Sequence, residues 1–281
     1  MVRPRKCSLR PRTRRPRTTS PAASADRSGV VSVRLRGRWI FRRPRRSFRP
    51  PRGSYPVKHL LLFDVDGTLI DSQHMIVDAM AAAFAAHGVP PPPRVAVLEI
   101  VGLSLDRAVA HLLGDAEVSV SAVCGSYKTA FADLRAGGGR HEPLYPGARA
   151  ALDAFAARDD VILGLATGKS RRGVANVLDL HRLHGRFVTI QTADDHPSKP
   201  HPAMIRAALA ETGIAPGRAM MLGDTNWDIE MGVAAGIVAV GVAWGYQTKL
   251  ALAAAGAAAI LADFAELEPT FDRIFAVSRG A

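Results

Sequence analysis

The chain has 281 residues and a formal charge of +12, and that charge is gathered at one end. Residues 1–56 hold 18 Lys+Arg against one acid, Asp26, for a net of +17; the other 225 residues hold 19 Lys+Arg and 24 Asp+Glu, a net of −5. The high isoelectric point therefore belongs to a tail, which excludes reading the whole chain as a nucleic-acid binder from its charge.

The tail, residues 1–56, is built from Arg, Pro, Ser and Gly with apolar residues scattered among them. Such a composition buries too little surface to offset the entropy of ordering, so a disordered basic extension is expected. Three readings of it compete. Its Arg- and Ser-rich, acid-poor character resembles an organelle transit peptide. A basic arm can also bind nucleic acid by counterion release. The third reading is upstream sequence from a misplaced start, with Val57 as an alternative first residue. The tail has no secretory apolar core, so a cytoplasmic protein is expected, or an organellar one if the transit reading holds.

After Val57 the pattern changes abruptly. Short apolar runs at 59–63, 161–166, 187–192, 219–222, 237–242 and 258–261 read as strands. Helical patterns at 147–157, 171–180, 202–212, 227–235 and 249–255 alternate with them, and 264–277 reads as a closing helix. Pro202 suits a first helical turn, and Gly213 and Gly236 suit helix ends. This alternation predicts an α/β fold, a doubly wound Rossmann-like parallel sheet. Between Asp71 and Tyr145 the rhythm breaks: helical patterns at 74–87, 94–101, 105–113 and 119–134 follow one another with no strand. They predict an inserted α-helical cap at 73–144, leaving 57–72 and 145–281 as the core. Cys7 and Cys124 are too few for a disulfide framework or a cysteine-based zinc site. The longest uncharged stretch, residues 232–248, is too short to span a bilayer, so a soluble body is expected.

The chemistry gathers at strand ends. HLLLFDVDGTLID closes the first strand with Asp64 and Asp66, two carboxylates whose side chains share a direction if the strand continues, before Gly67 permits a sharp turn. Alone, this segment could be a turn with solvated acids. VILGLATGKS sets Thr167 just past the second strand, before a helix N-terminus suited to an anion, although helix-capping threonines are common. HPSKP sets Lys199 after the third strand, where alone it reads as a surface lysine. AMMLGDTNWDIEMGVAAG sets Asp224 at the fourth strand tip and Asp228 four residues on, a geometry for a hard, oxygen-coordinated ion. The Gly223-Asp224-Thr225 segment by itself also reads as a helix cap.

In this order DVDGTLID, LATGKS, SKP and GDTNWDIEMGVAAG resemble the haloacid dehalogenase superfamily, over about residues 58–281. TIQTADDHPSKPHPAM and GVAWGYQT look like its phosphoglycolate phosphatase-like subgroup, and the helical insert looks like its cap. The resemblance implies that Asp64 is a nucleophile forming an aspartyl-phosphate. It implies that Asp66 protonates the leaving alkoxide and then deprotonates water. Thr167 and Lys199 would hold the phosphoryl oxygens, with backbone N–H groups around Gly67, Thr68 and Gly168 assisting. Mg2+ would be held by Asp64, the Asp66 carbonyl and Asp224, with Asp228 binding directly, through water, or by orienting Lys199. Two like unit charges ~4 Å apart repel by about 4 kcal/mol at an effective dielectric near 20, which a divalent ion offsets. Superfamily members that displace halide lack the second aspartate, so Asp66 favours phosphoryl transfer.

Candidates reaching over the site from the cap are Ser72 and Gln73, Ser104 and Arg107, Tyr127 and Lys128, and Arg135 with His141. Arg107, Lys128 or Arg135 would bind the carboxylate of a substrate such as 2-phosphoglycolate. Met75, Met80 and Phe84 read as cap core, and Gly137–Gly139 as a hinge. The expectation is a magnesium-dependent phosphatase acting on a small phosphorylated metabolite, a monomer or homodimer without membrane or nucleic-acid partners. A sugar-phosphate mutase, a nucleotidase or a pyrophosphatase uses the same four motifs. A binding module with a nucleic-acid-binding arm is the alternative of a different class.

Overall fold

The computed structural model of the chain describes residues 31–35, 38–42, 58–137 and 142–276, in two units divided between Ser54 and Tyr55. In the first unit, β1 (Val31–Leu35) and β2 (Arg38–Arg42) pair antiparallel, with Val31 opposite Arg42. The expectation of disorder did not foresee this hairpin. Its signal is local: VSVRL and RWIFR are rich in strand formers, and only Arg36 and Gly37 separate them, the spacing of a tight hairpin. The rest of the tail, Val57, His141 and Gly138–Gly139 of the expected hinge lie outside the described residues.

The second unit holds six strands: β3 (His59–Phe63), β4 (Val161–Thr167), β5 (Thr189–Thr192), β6 (Ala219–Gly223), β7 (Val238–Val242) and β8 (Ala259–Leu261). They form one parallel sheet in the order β5-β4-β3-β6-β7-β8. Ten helices are described: α1 (Gln73–Ala85), α2 (Arg94–Glu99), α3 (Leu105–Leu113), α4 (Val120–Ala136), α5 (Ala148–Ala156), α6 (Arg171–His181), α7 (Ala203–Thr212), α8 (Asn226–Ala235), α9 (Lys249–Ala254) and α10 (Leu267–Phe275). The expected doubly wound sheet is present.

Both faces of the sheet are covered, which is why its strands read as continuous apolar runs rather than alternating ones. Side chains of β3 divide by the pleat. Leu61 and Phe63 join Leu152, Phe155, Val177 and Phe271, from α5, α6 and α10. Leu60 and Leu62 join Met204, Ile205 and Met231, from α7 and α8. Element ends shift by one or two residues from those expected, as fraying ends do. Thr167 is the last residue of β4 rather than the residue past it. Pro202 sits at the N-cap of α7, and a short 3-10 turn, Phe264–Glu266, precedes α10. Gly213 and Gly236 close α7 and α8 in the left-handed conformation.

Helices α1 to α4 lie between β3 and α5 and share an apolar core of their own, around Ile76, Phe84, Val97, Val109 and Val123. The chain enters and leaves this insert side by side, through a bridge between Ile70 and Leu144. The register sets the carboxyl ends of β3, β4 and β6 level, with Phe63 opposite both Leu165 and Leu222. Open parallel sheets bind ligands at such ends, and the insert covers this one.

Candidate active site

Immediately after β3, Asp64 is anchored by its backbone N–H, which donates to the Leu222 carbonyl at 2.9 Å. The neighbouring strand β6 is followed by Asp224, and α8 opens with Asp228 in its first turn. All three carboxylates are at most 1% exposed, and each offers an oxygen within 4.8 Å of the others. Lys199, 0% exposed, lies between them, with Nζ 2.8 Å from Asp64 Oδ1 and 2.6 Å from Asp228 Oδ1. It is therefore no surface lysine. Burial opposes its charge, but Asp228 and Asp64 outweigh burial and hold its ammonium above the ordinary lysine range.

Local sequence explains how the acids are fixed. Asp228 Oδ2 accepts from the backbone N–H of Thr225 at 3.1 Å and from its hydroxyl at 2.6 Å, so the helix cap read from the sequence is real. Asp228 thus spends one oxygen on the cap and the other on Lys199. Asp224 accepts from the Thr68 hydroxyl at 3.1 Å and from the Tyr246 N–H at 3.0 Å. Gly67 turns the chain with φ +83°, and a Cβ there would come within 2.1 Å of Asp224 Oδ2. Gly67 thus leaves room for Asp224 and Thr68 donates to it; neither is among the residues lining the cavity, where the sequence had suggested substrate contact.

These residues fit a cation. Asp64 Oδ2 has no hydrogen-bond partner, and Oδ1 has only the ammonium of Lys199. Burial pushes Asp64 up to about 6, with Lys199 pulling down and Asp228 pushing up. Burial also raises Asp224 well above the carboxylate range, and Asp228 and Asp64 raise it further. Buried acids that ionise only with difficulty and have open lone pairs form an oxygen cage for a hard divalent ion.

Above them is a cavity of about 760 Å³. Asp64, Asp66, Thr167 and Gly168 lie on its core side, and Ile100, Leu105, Cys124 and Phe131 on its cap side. Asp66 Oδ1 accepts from the Ser72 hydroxyl at 2.5 Å, and that hydroxyl lies 3.2 Å from the Tyr246 hydroxyl. The Thr167 hydroxyl accepts from the Lys169 N–H at 3.2 Å. The insert is seated on the core at this point. Ser104 N–H donates to the Ser198 hydroxyl at 2.8 Å, and Trp227 donates to the Glu99 carbonyl at 3.3 Å. A Cβ at Gly168 would meet the backbone oxygens of Gly102 and Leu103 at 2.4 and 2.7 Å. Gly168 is what lets the cap loop come down.

Of the expected cap cations, Lys128 and Arg135 line the cavity, although Lys128 is also solvent-exposed. Arg107 does not: it is exposed, because α3 turns Ala108 and Val109 inward and its neighbour outward. Gln73 is turned to Asp71. Tyr127 lines the cavity, and so does Met80, which had read as cap core alone; Met75 and Phe84 stay buried off its wall. Two residues were not foreseen. Lys169 Nζ binds Asp66 Oδ1 at 2.7 Å and Oδ2 at 3.0 Å, and lies 3.3 Å from Glu142 Oε1. Lys169 stands inside the LATGKS motif and could have been found there, whereas Glu142 belongs to no motif.

The sequence profile of the haloacid dehalogenase-like hydrolases matches residues 61–242. A phosphoglycolate phosphatase of Rhodospirillum rubrum is 33% identical over 218 residues, covering 74% of this chain and 88% of that protein. A probable phosphatase, IndB, of Dickeya dadantii is 32% identical over 217 residues, covering 75% and 92%. Among solved structures, a haloacid dehalogenase-like hydrolase from Streptococcus pneumoniae superposes with a TM-score of 0.66 at 25% identity, covering 76% and 98%. The chain belongs to the haloacid dehalogenase-like hydrolase family, and within it groups with the phosphatases.

Proposed function

We propose that the protein is a magnesium-dependent phosphomonoesterase working through an aspartyl-phosphate on Asp64, with 2-phosphoglycolate as the leading substrate. One observation carries this reading: Asp64 lines the cavity beside Asp66 with its Oδ2 unpartnered, its Oδ1 on Lys199 and an oxygen within 4.8 Å of one of Asp224. An oxygen of Asp64 attacks phosphorus, and the ester oxygen departs with a proton from Asp66. Asp66 then takes a proton from the water that attacks the acyl phosphate, releasing inorganic phosphate and restoring Asp64. Lys199 balances the charge of Asp64 throughout, and Asp228 fixes Lys199. A divalent ion held by Asp64 and Asp224 would offset the repulsion between carboxylate and phosphate. Thr167 and the backbone N–H groups around Gly168 are suited to the phosphoryl oxygens.

The names of relatives support 2-phosphoglycolate. The room in the cavity favours, as a second reading, a larger sugar or nucleotide ester cleaved by the same residues. Phosphate release from a panel of monoesters, present with Mg2+ and lost in EDTA, tests the proposal and ranks these esters. The chain is read as a protein of the cytoplasm; among the described residues no helix is long and apolar enough to cross a membrane.

Two further outcomes follow. Gly168→Ala should lower kcat/KM by roughly 10- to 100-fold, because its methyl group would meet two cap-loop carbonyls and hold the cap off the reacting groups. Steady-state kinetics check this, and an unchanged kcat/KM would mean that closure does not need the contact.

Mg2+ should raise Tm, and the increment should grow between pH 5 and pH 7.5. The Asp64 value of about 6 lies above the ordinary 3.8, so the metal-free fold holds a proton there and loses stability as pH rises through 6. The cation binds the ionised form, so its stabilisation is small below that pH and large above it. Thermal melts with Mg2+ and with EDTA across this range check the sign, and a pH-independent increment contradicts it.

A further inference from the structure

Beside the reacting groups stands a cation pair that the proposed steps leave unused. Lys169, from the loop before α6, and Arg135, from the last turn of α4, both line the cavity. Glu142, only 2% exposed, holds both: Lys169 Nζ is 3.3 Å from its Oε1, and Arg135 Nη2 is 2.5 Å from its Oε2. Both cations also lie over the Phe131 ring, at 5.4 Å for Lys169 Nζ and 5.0 Å for the Arg135 guanidinium. Core and cap thus each send one positive charge to the same place, and a single buried carboxylate fixes the pair. Burial opposes the Lys169 charge, but Asp66 and Glu142 outweigh burial and keep it protonated.

The position matters more than the charge. Lys169 touches both oxygens of Asp66, the group that faces the ester oxygen in the proposed reaction. A second anionic group on the leaving alcohol, one or two bonds from that oxygen, falls within reach of Lys169 and then of Arg135.

Resting on the phosphatase reading, we infer that Lys169 and Arg135 form a clamp for a carboxylate on the leaving group, making them specificity-determining residues of this site. The clamp selects phosphate esters of short hydroxy acids. A pair of cationic donors already fixed by Glu142 prefers a carboxylate to its neutral amide, because a hydrogen bond between a cation and an anion is the stronger one.

The test compares 2-phosphoglycolate, its neutral carboxamide and p-nitrophenyl phosphate, with Mg2+ and the full chain. Wild type should favour the carboxylate over the carboxamide in kcat/KM by roughly 10- to 100-fold. Lys169→Met should erase most of that ratio, chiefly through KM for the carboxylate. Arg135→Met, at a side chain 31% exposed and away from Asp66, should reduce it in the same direction and keeps the test open if the first variant does not fold. Lys169→Arg should retain it. A latch that merely holds the cap closed would lower all three substrates equally in both variants, and that result overturns the inference. So does equal wild-type turnover of carboxylate and carboxamide, which leaves the phosphatase reading standing. Failure to release phosphate from any of the three overturns both.

Discussion

Asp64→Asn should abolish phosphate release, by roughly three orders of magnitude or more, while leaving the fold intact. The amide matches the carboxylate in shape, so packing at this 1% exposed position is kept. What disappears is the negative oxygen that attacks phosphorus. Because burial already disfavours the ionised form of Asp64, a neutral side chain relieves that cost. The metal-free variant should therefore melt at or above the wild-type temperature. Phosphate release with Mg2+ and a thermal melt in EDTA check the two halves separately. Near wild-type turnover would remove Asp64 from the reaction.

The second large effect is on stability. Lys199→Met keeps most of the side-chain volume but takes the ammonium from between Asp64 and Asp228, at 2.8 and 2.6 Å. Three carboxylates then lie buried together, with Asp224 the third. Removing one partner of a buried ion pair costs about 3–5 kcal/mol. For a unit of this size that is a fall in Tm on the order of 10 °C in EDTA. Mg2+ should return part of it, since the ion supplies positive charge to the same oxygens. Activity should fall as well, because Asp64 then lacks the ammonium 2.8 Å away that helps to offset its charge as phosphate approaches. An unchanged Tm in EDTA would show that the three acids are neutral by some other means.

The core was legible because both of its signals are local. Strands buried on two faces are written as short apolar runs, and β3 and α3 match their expected bounds to the residue. Asp64, Asp224 and Lys199 each stand within a residue or two of an element end or in a distinctive segment, and a parallel sheet necessarily brings such ends together. What depends on direction was less legible. The periodicity of α3 did not decide that Arg107 would point to solvent while Ala108 and Val109 turned inward. Contact across the fold was not legible at all: Lys169 meets Asp66 from 103 residues away, and Glu142 meets Lys169 only because the insert returns beside β3. In the tail, averaging composition over 56 residues hid the ten-residue pattern of β1 and β2.

The central claim is that Asp64 captures phosphorus covalently. Its most direct measurement is an acid quench during turnover with Mg2+, followed by borohydride reduction and peptide mass mapping. Borohydride converts an aspartyl-phosphate to homoserine, so homoserine should stand at position 64 and only in samples given both ester and Mg2+. Phosphate release proceeding at full rate with Asp64 unmodified, or with the mark on another residue, would contradict it.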